Sequence, residues 1–307
     1  MAKAQVSGLR HVGVAVPDYD QQVAFYEGVW GLKKVDGDSC ISFFAAEGSP
    51  EQYILRIRKA DANRIDLLAF VAQDAAAVDA LAEQVIAAGA KLISEPGTLQ
   101  TPGGGYGFRF FDPDGRTVEV SSDVAARPFR VLEEHEAVPK KLSHVVVNTP
   151  NPQPVMEWYQ EHLGFKCSGW LGDWFGFLRC GPDFHTVAIV KGDHTNLHHI
   201  SFELRGFDEW MRGVGRVLAA GTPMPFGLGS HAPAGSSFAY FLDPNGNTSE
   251  YIIPQEQVVD DRTFDAKVWQ GNASDVWGTA RSQNLPEAPI RNTRDAPDPG
   301  VWVAPPV

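Results

Sequence analysis

Cysteine is scarce. Only three occur in 307 residues, Cys40, Cys167 and Cys180, scattered and odd in number. That argues against a disulfide framework and fits a reducing, cytoplasmic setting. Long hydrophobic runs are missing too, so no stretch is suited to span a bilayer. The opening residues, Met1 to Val6, have no apolar stretch of the signal-peptide kind. Positive charge is in deficit: 26 Lys and Arg against 38 Asp and Glu give a formal charge of −12. Nucleic acid and acidic membranes are therefore poor partners. What remains is an ordinary globular composition, 43% apolar and 21% charged, with length for one large domain or two.

Histidine is present and unevenly placed. Seven of the nine histidines lie between positions 144 and 231. The stretch Asn196–Leu204 (NLHHISFEL) reads as a half-buried strand with histidine where a core residue is expected. Several neutral imidazoles in one core call for something that holds them together.

The chain repeats itself. Leu9–Val16 alternates as a strand, a helical pattern follows from Asp18 to Leu32, and short strands follow around 42–45, 53–58 and 65–72. A helix is expected over Asp74–Ala88, then a Gly-rich loop, then two strands joined by Asp112-Pro113-Asp114-Gly115. From Lys141 the pattern starts again. KLSHVVVN repeats the first strand, PQPVMEWYQEHLGF the first helix, Phe207–Ala220 the second, and Phe241-Leu242-Asp243-Pro244-Asn245-Gly246 the turn. The offset is nearly constant: 133 from His11 to His144 and 131 from Glu119 to Glu250. That is the mark of duplication. The expected division is a first module over 1–135, a second over 136–260, and an irregular Pro-rich segment over 261–307, pinned by Trp269, Trp277 and Trp302.

Alternation decides which side chains meet. His144 is expected to share a face with Leu142 and Val146, and His198 and His199 to point to opposite faces. Pro244-Asn245-Gly246 suits a three-residue hairpin loop, which places Tyr240 opposite Glu250. His144, His199 and Glu250, on three strands, form a facial triad with three open positions, the usual arrangement of non-haem Fe(II) oxygenases. Each histidine alone reads more simply as a hydrogen-bonded core residue; the duplication favours the metal. In the first module His11 and Glu119 stand where His144 and Glu250 do, but Leu67 replaces His199, Tyr53 replaces His185, and Arg109 replaces Tyr240. Metal is thus expected only in the second module, with Arg109 paired to Glu119.

These residues resemble those of the type I extradiol (catechol meta-cleaving) dioxygenases of the vicinal-oxygen-chelate superfamily. The resemblance covers about residues 8–255. It rests on His144 in LSHVVV, His199 in LHHISFEL and Glu250 in FLDPNGNTSEYI, with His185 in GPDFHTVAIV, His231 in LGSHAPAG and Tyr240 in SSFAYFLDP. It implies an α+β fold of two tandem βαβββ-type modules with the metal in the C-terminal one. It also implies Fe(II), with Mn(II) as the alternative, a small catechol and O2 as partners, and a homo-oligomer. His185 would be the acid/base, and His231 and Tyr240 would bind and orient the diol. Trp170, Trp174 and Phe177 are candidates for the ring pocket. No motif fixes what the catechol carries. Two other readings share the fold: a glyoxalase- or epimerase-type metalloenzyme, and a binding protein without catalysis.

Overall fold

A computed structural model of the chain describes residues 3–287 and 293–299. Trp302 lies outside the described residues. The first module is one eight-stranded sheet with β1 (Gly8–Val16), β2 (Lys33–Gly37), β3 (Ile41–Ala45), β4 (Leu55–Lys59), β5 (Arg64–Val71), β6 (Leu92–Thr98), β7 (Tyr106–Phe111) and β8 (Thr117–Ser122). Its helices are α1 (Tyr19–Ala24), which continues as a π-helical turn over Phe25–Val29, and α2 (Ala75–Ala87). The spatial order is β2-β3-β4-β1-β5-β8-β7-β6. Each half of that order is a βαβββ unit, and the parallel β5–β8 and β1–β4 pairs are formed within the two units.

The second module repeats the plan with β9 (Lys141–Thr149), β10 (Lys166–Leu171), β11 (Phe175–Arg179), β12 (Val187–Lys191), β13 (Asn196–Glu203), β14 (Met224–Ser230), β15 (Ser237–Leu242) and β16 (Thr248–Ile252), and with α3 (Pro152–Leu163) and α4 (Phe207–Ala219). The C-terminal segment is less irregular than expected. It adds β17 (Lys267–Trp269) beside β10 and β18 (Arg281–Gln283) beside β14, one at each edge, giving a ten-stranded sheet. Trp269 packs on Phe177 and Phe184, whereas Trp277 is about half exposed and touches only the rim at Phe207. Edge strands left bare would invite pairing with other chains, and these two short additions cover them.

The helices form where capping and periodicity agree. The Asp74 carboxylate accepts from the Ala77 N–H at 2.8 Å, and Val78, Leu81, Ala82 and Val85 make the buried stripe of α2. Pro152 opens α3, and Gly164 closes it at φ +78, a conformation that suits glycine.

The modules exchange contacts through their first helices, each of which lies on its own sheet, α1 beside β4 and α3 beside β10, β11 and β12. Tyr26 and Trp30, at the end of α1, pack on Phe202, Phe241 and Tyr251 of the second sheet, with Trp30 and Tyr251 rings 4.0 Å apart. Reciprocally, Trp158 and Tyr159 of α3 pack on Phe110 and Phe70 of the first sheet. The repeated turn serves this exchange. Asp112 accepts from the Tyr159 hydroxyl at 3.0 Å, and Asp243 from the Tyr26 hydroxyl at 3.3 Å. One continuous core therefore spans both modules. No helix among the described residues is long and apolar enough to cross a membrane.

Candidate metal centre

Five neighbouring elements of the second sheet build the site. His144 comes from β9, His199 from β13, Glu250 from β16 and Tyr240 from β15, and His185 sits just before β12. Register sets the convergence. Ser201 lies between His144 and Glu250, and Tyr240 is paired with Glu250, as the hairpin loop requires. Two β-bulges tune the geometry. One at Ser143 turns Leu142 to the opposite face, into the core with Val145 and Val147, so only Val146 shares the His144 side. The other, at His198, brings the two histidine rings together instead of holding them on opposite faces; their Nδ1 atoms are 2.7 Å apart.

His144, His199 and Glu250 are all buried and present one donor atom each within 4.8 Å of one another. His144 Nε2 is 3.2 Å from His199 Nε2 and 3.1 Å from Glu250 Oε2, and His199 Nε2 is 3.4 Å from that oxygen. Yet neither Glu250 oxygen has an aligned hydrogen bond among the described residues. Burial alone would raise the Glu250 carboxyl, but the facing imidazoles of His144, His199 and His231 hold it well below the usual range. Burial pushes the His199 imidazole down to about 4. Two imidazoles and a carboxylate thus converge on one point. A divalent cation fits such a donor set; without one, the buried charge has no counterpart. The outer nitrogens are held as metal-binding histidines require: His144 Nδ1 is 3.2 Å from Ser143 Oγ, and His199 Nδ1 faces His198.

A small apolar cavity, about 50 Å³, opens on this trio. His144, His185, His199, His231 and Tyr240 are its polar lining, and Val146, Leu171, Phe175 and Phe177 much of its apolar lining, with Ala273 and Ser274 of the C-terminal segment completing it. All six expected side chains therefore stand around one point, Glu250 beneath the histidines. His185 lies against His144 with ring centroids 4.0 Å apart and the rings tilted, and its Nδ1 has no hydrogen-bond partner among the described residues. Burial, then His144, keeps the His185 imidazole well below its usual pKa, so it is neutral near pH 7. Burial and Glu250 push Tyr240 well up, which keeps its hydroxyl protonated. Phe177 walls the cavity, but Trp170 and Trp174 do not; Leu171 and Phe175 take their place.

Gln255 was not legible from sequence. Its amide donates to Ser143 Oγ at 2.9 Å and to the His185 carbonyl at 3.0 Å, and it accepts from the His185 N–H, tying the His185 backbone to the side chain that precedes His144. No motif marks it. Ala273 and Ser274 also escaped, because they come from beyond the repeat.

The first module lacks the same centre. His11 pairs with Ala69 and Ala69 with Glu119, matching His144, Ser201 and Glu250. The buried Leu67 falls where His199 does, and Arg109 Nε donates to Glu119 at 2.8 Å, as the hairpin requires.

The comparisons with known proteins agree with this plan. A family model, "Glyoxalase/Bleomycin resistance protein/Dioxygenase superfamily", matches residues 8–120 and again 141–251. Metapyrocatechase 2 of Cupriavidus necator is 26% identical over 309 residues, 94% of this chain and 92% of that protein. The manganese-dependent 2,3-dihydroxybiphenyl 1,2-dioxygenase of Geobacillus genomosp. 3 is 24% identical over 87% of this chain and 91% of its own. Among solved structures, a Mn(II)-bound glyoxalase from Novosphingobium aromaticivorans is 41% identical, covers 98% of both chains, and superposes with a TM-score of 0.91. Matched in both of its halves, the chain belongs to the glyoxalase/bleomycin resistance protein/dioxygenase superfamily.

Proposed function

We propose that this protein is an extradiol dioxygenase that cleaves a catechol-type diol and inserts both atoms of O2. One observation carries the reading: a buried His144–His199–Glu250 trio opens onto an apolar cavity that also holds His185, His231 and Tyr240. Relatives named as a metapyrocatechase and a dihydroxybiphenyl dioxygenase support it. A divalent metal on the trio, Fe(II) or Mn(II), supplies Lewis acidity toward the diol oxygens and an electron path between diol and O2. Fe(II) is the metal we favour on the donor set.

The chain's own residues do the rest. Tyr240 and His231, hydrogen-bonded to each other at 3.0 Å, present polar groups to a bound diol and orient it. Neutral His185 accepts a proton as the diol is engaged and returns it when the ring opens. Phe175, Phe177 and Leu171 keep water from the reacting ring. The diol supplies all the electrons, so no further reductant is needed. The same reading divides the chain into a metal-free module (1–135), a catalytic module (136–260) and a C-terminal segment (261–307), and extends to a cytoplasmic homo-oligomer, which a sedimentation run showing only monomer at micromolar concentration would contradict.

A metal-dependent glyoxalase-type isomerase is the second reading, favoured by the 41% identical Mn(II)-bound glyoxalase. It leaves His185, His231 and Tyr240 without an assigned task. An oxygen electrode separates the two. Anaerobically prepared, Fe(II)-loaded protein given catechol and then O2 is expected to consume O2 and form a yellow ring-opened product. No O2 uptake with any catechol would sink the dioxygenase reading.

A further inference from the structure

We propose that Asp275 is a positioning residue of the active site and acts through His231. The inference rests on the ring-cleavage reading, in which His231 helps to orient the diol. His231 follows directly on β14. Its Nδ1 lies 2.6 Å from the carbonyl oxygen of Ser274. A carbonyl can only accept, so Nδ1 carries the proton. In the neutral ring Nε2 is then the acceptor on the cavity side, where the Tyr240 hydroxyl stands 3.0 Å away and Glu250 Oε1 3.5 Å away. One carbonyl thus selects both the tautomer and the ring orientation.

That carbonyl belongs to the C-terminal segment, outside both repeats, and must itself be fixed. Asp275, only 5% exposed, does this. Its Oδ1 accepts from the N–H groups of Ser230 and Trp277, both at 3.2 Å, and its Oδ2 from the N–H of Ala280 at 2.9 Å. Backbone bonds complete the clamp on either side of His231. Ala232 N–H donates to the Ala273 carbonyl at 2.9 Å, and Val276 N–H to the Ser230 carbonyl at 2.8 Å. Losing the carboxylate strands three buried or half-buried N–H groups, one of them on the residue before His231. Ser274 would then be free to shift, and the His231 ring would lose its fixed tautomer.

A double-mutant cycle on the full-length, metal-loaded protein tests this. Asp275→Ala is expected to raise KM for catechol about tenfold, the worth of one oriented hydrogen bond, with metal content unchanged. In a His231→Ala background the same substitution is expected to add nothing, because the two act as one unit. Asp275→Asn keeps an acceptor oxygen for Ser230 and Trp277 and is expected to recover most of the affinity. If Asp275→Ala does not fold, Asp275→Ser carries the same cycle. Additive losses, or an unchanged KM in the single variant, overturn the proposal. A wild-type protein that consumes no O2 with any catechol would instead sink the function reading. The role of Asp275 is then decided by the nitrogen-15 shifts of His231 in Zn(II)-loaded protein. Nδ1-protonated imidazole in the wild type and mixed tautomers in Asp275→Ala support it; identical spectra overturn it.

Discussion

Glu250 keeps a carboxylate where no solvent reaches, with both oxygens lacking an aligned hydrogen bond among the described residues. Only a cation makes that arrangement favourable, and this ties each residue to a distinct failure. Glu250→Ala is expected to abolish metal binding and all activity, since two histidines hold Fe(II) poorly; elemental analysis of the purified variant checks it. His185→Asn is expected to keep its metal and its catechol and to lose about 10²–10⁴ in kcat, the usual worth of a positioned acid/base. Loss of the metal there would make His185 a ligand and redraw the centre. Tyr240→Phe is expected to cost less than either. It removes a donor beside a charged site, worth roughly 1.5–3 kcal/mol, read in kcat/KM. Spacing and alternation placed Glu250 and Tyr240 from the sequence, because the hairpin loop sets them opposite each other and the duplication supplies a second count, whereas His185 came from the family resemblance. They could not reveal the His198 contact, since a bulge adds a residue without any compositional mark.

At the scale of elements, the duplicated turn is a structural joint. Asp112 and Asp243 take the tyrosine of the other module's first helix, and Asp112 also balances the buried Arg116, 3.0 Å away. Asp112→Ala leaves that guanidinium a single facing carboxylate, Asp114, and is expected to cost up to about 3–5 kcal/mol of stability, measured by denaturant unfolding. A loss below about 1 kcal/mol would mean that water or Asp114, 2.8 Å from Arg116, takes over the charge. The central strands and the helices were legible because their periods are clean, but the edge strands β2 and β6, which bury no full face, were not. Nor were the cross-module contacts made from the ends of α1 and α3, since apolar stripes say that a face is buried and not against which partner. The C-terminal strands β17 and β18 were hidden for a similar reason. Each is three residues long, too short for a pattern, and is held by the edge it covers.

For the whole molecule, the two sheets are near copies with different chemistry. In the first, Leu67 removes a ligand and Arg109 neutralises Glu119, so one metal per chain is expected. Two metals by elemental analysis would contradict the division of roles. The central claim is the insertion of both oxygen atoms of O2 into the ring-opened product. Mass spectrometry after a reaction of the metal-loaded protein with catechol under ¹⁸O2 tests it most directly. The account predicts product carrying two labelled atoms per molecule, before any exchange with water. Product without label, or a chain that transforms its substrate with no O2 consumed, would contradict it.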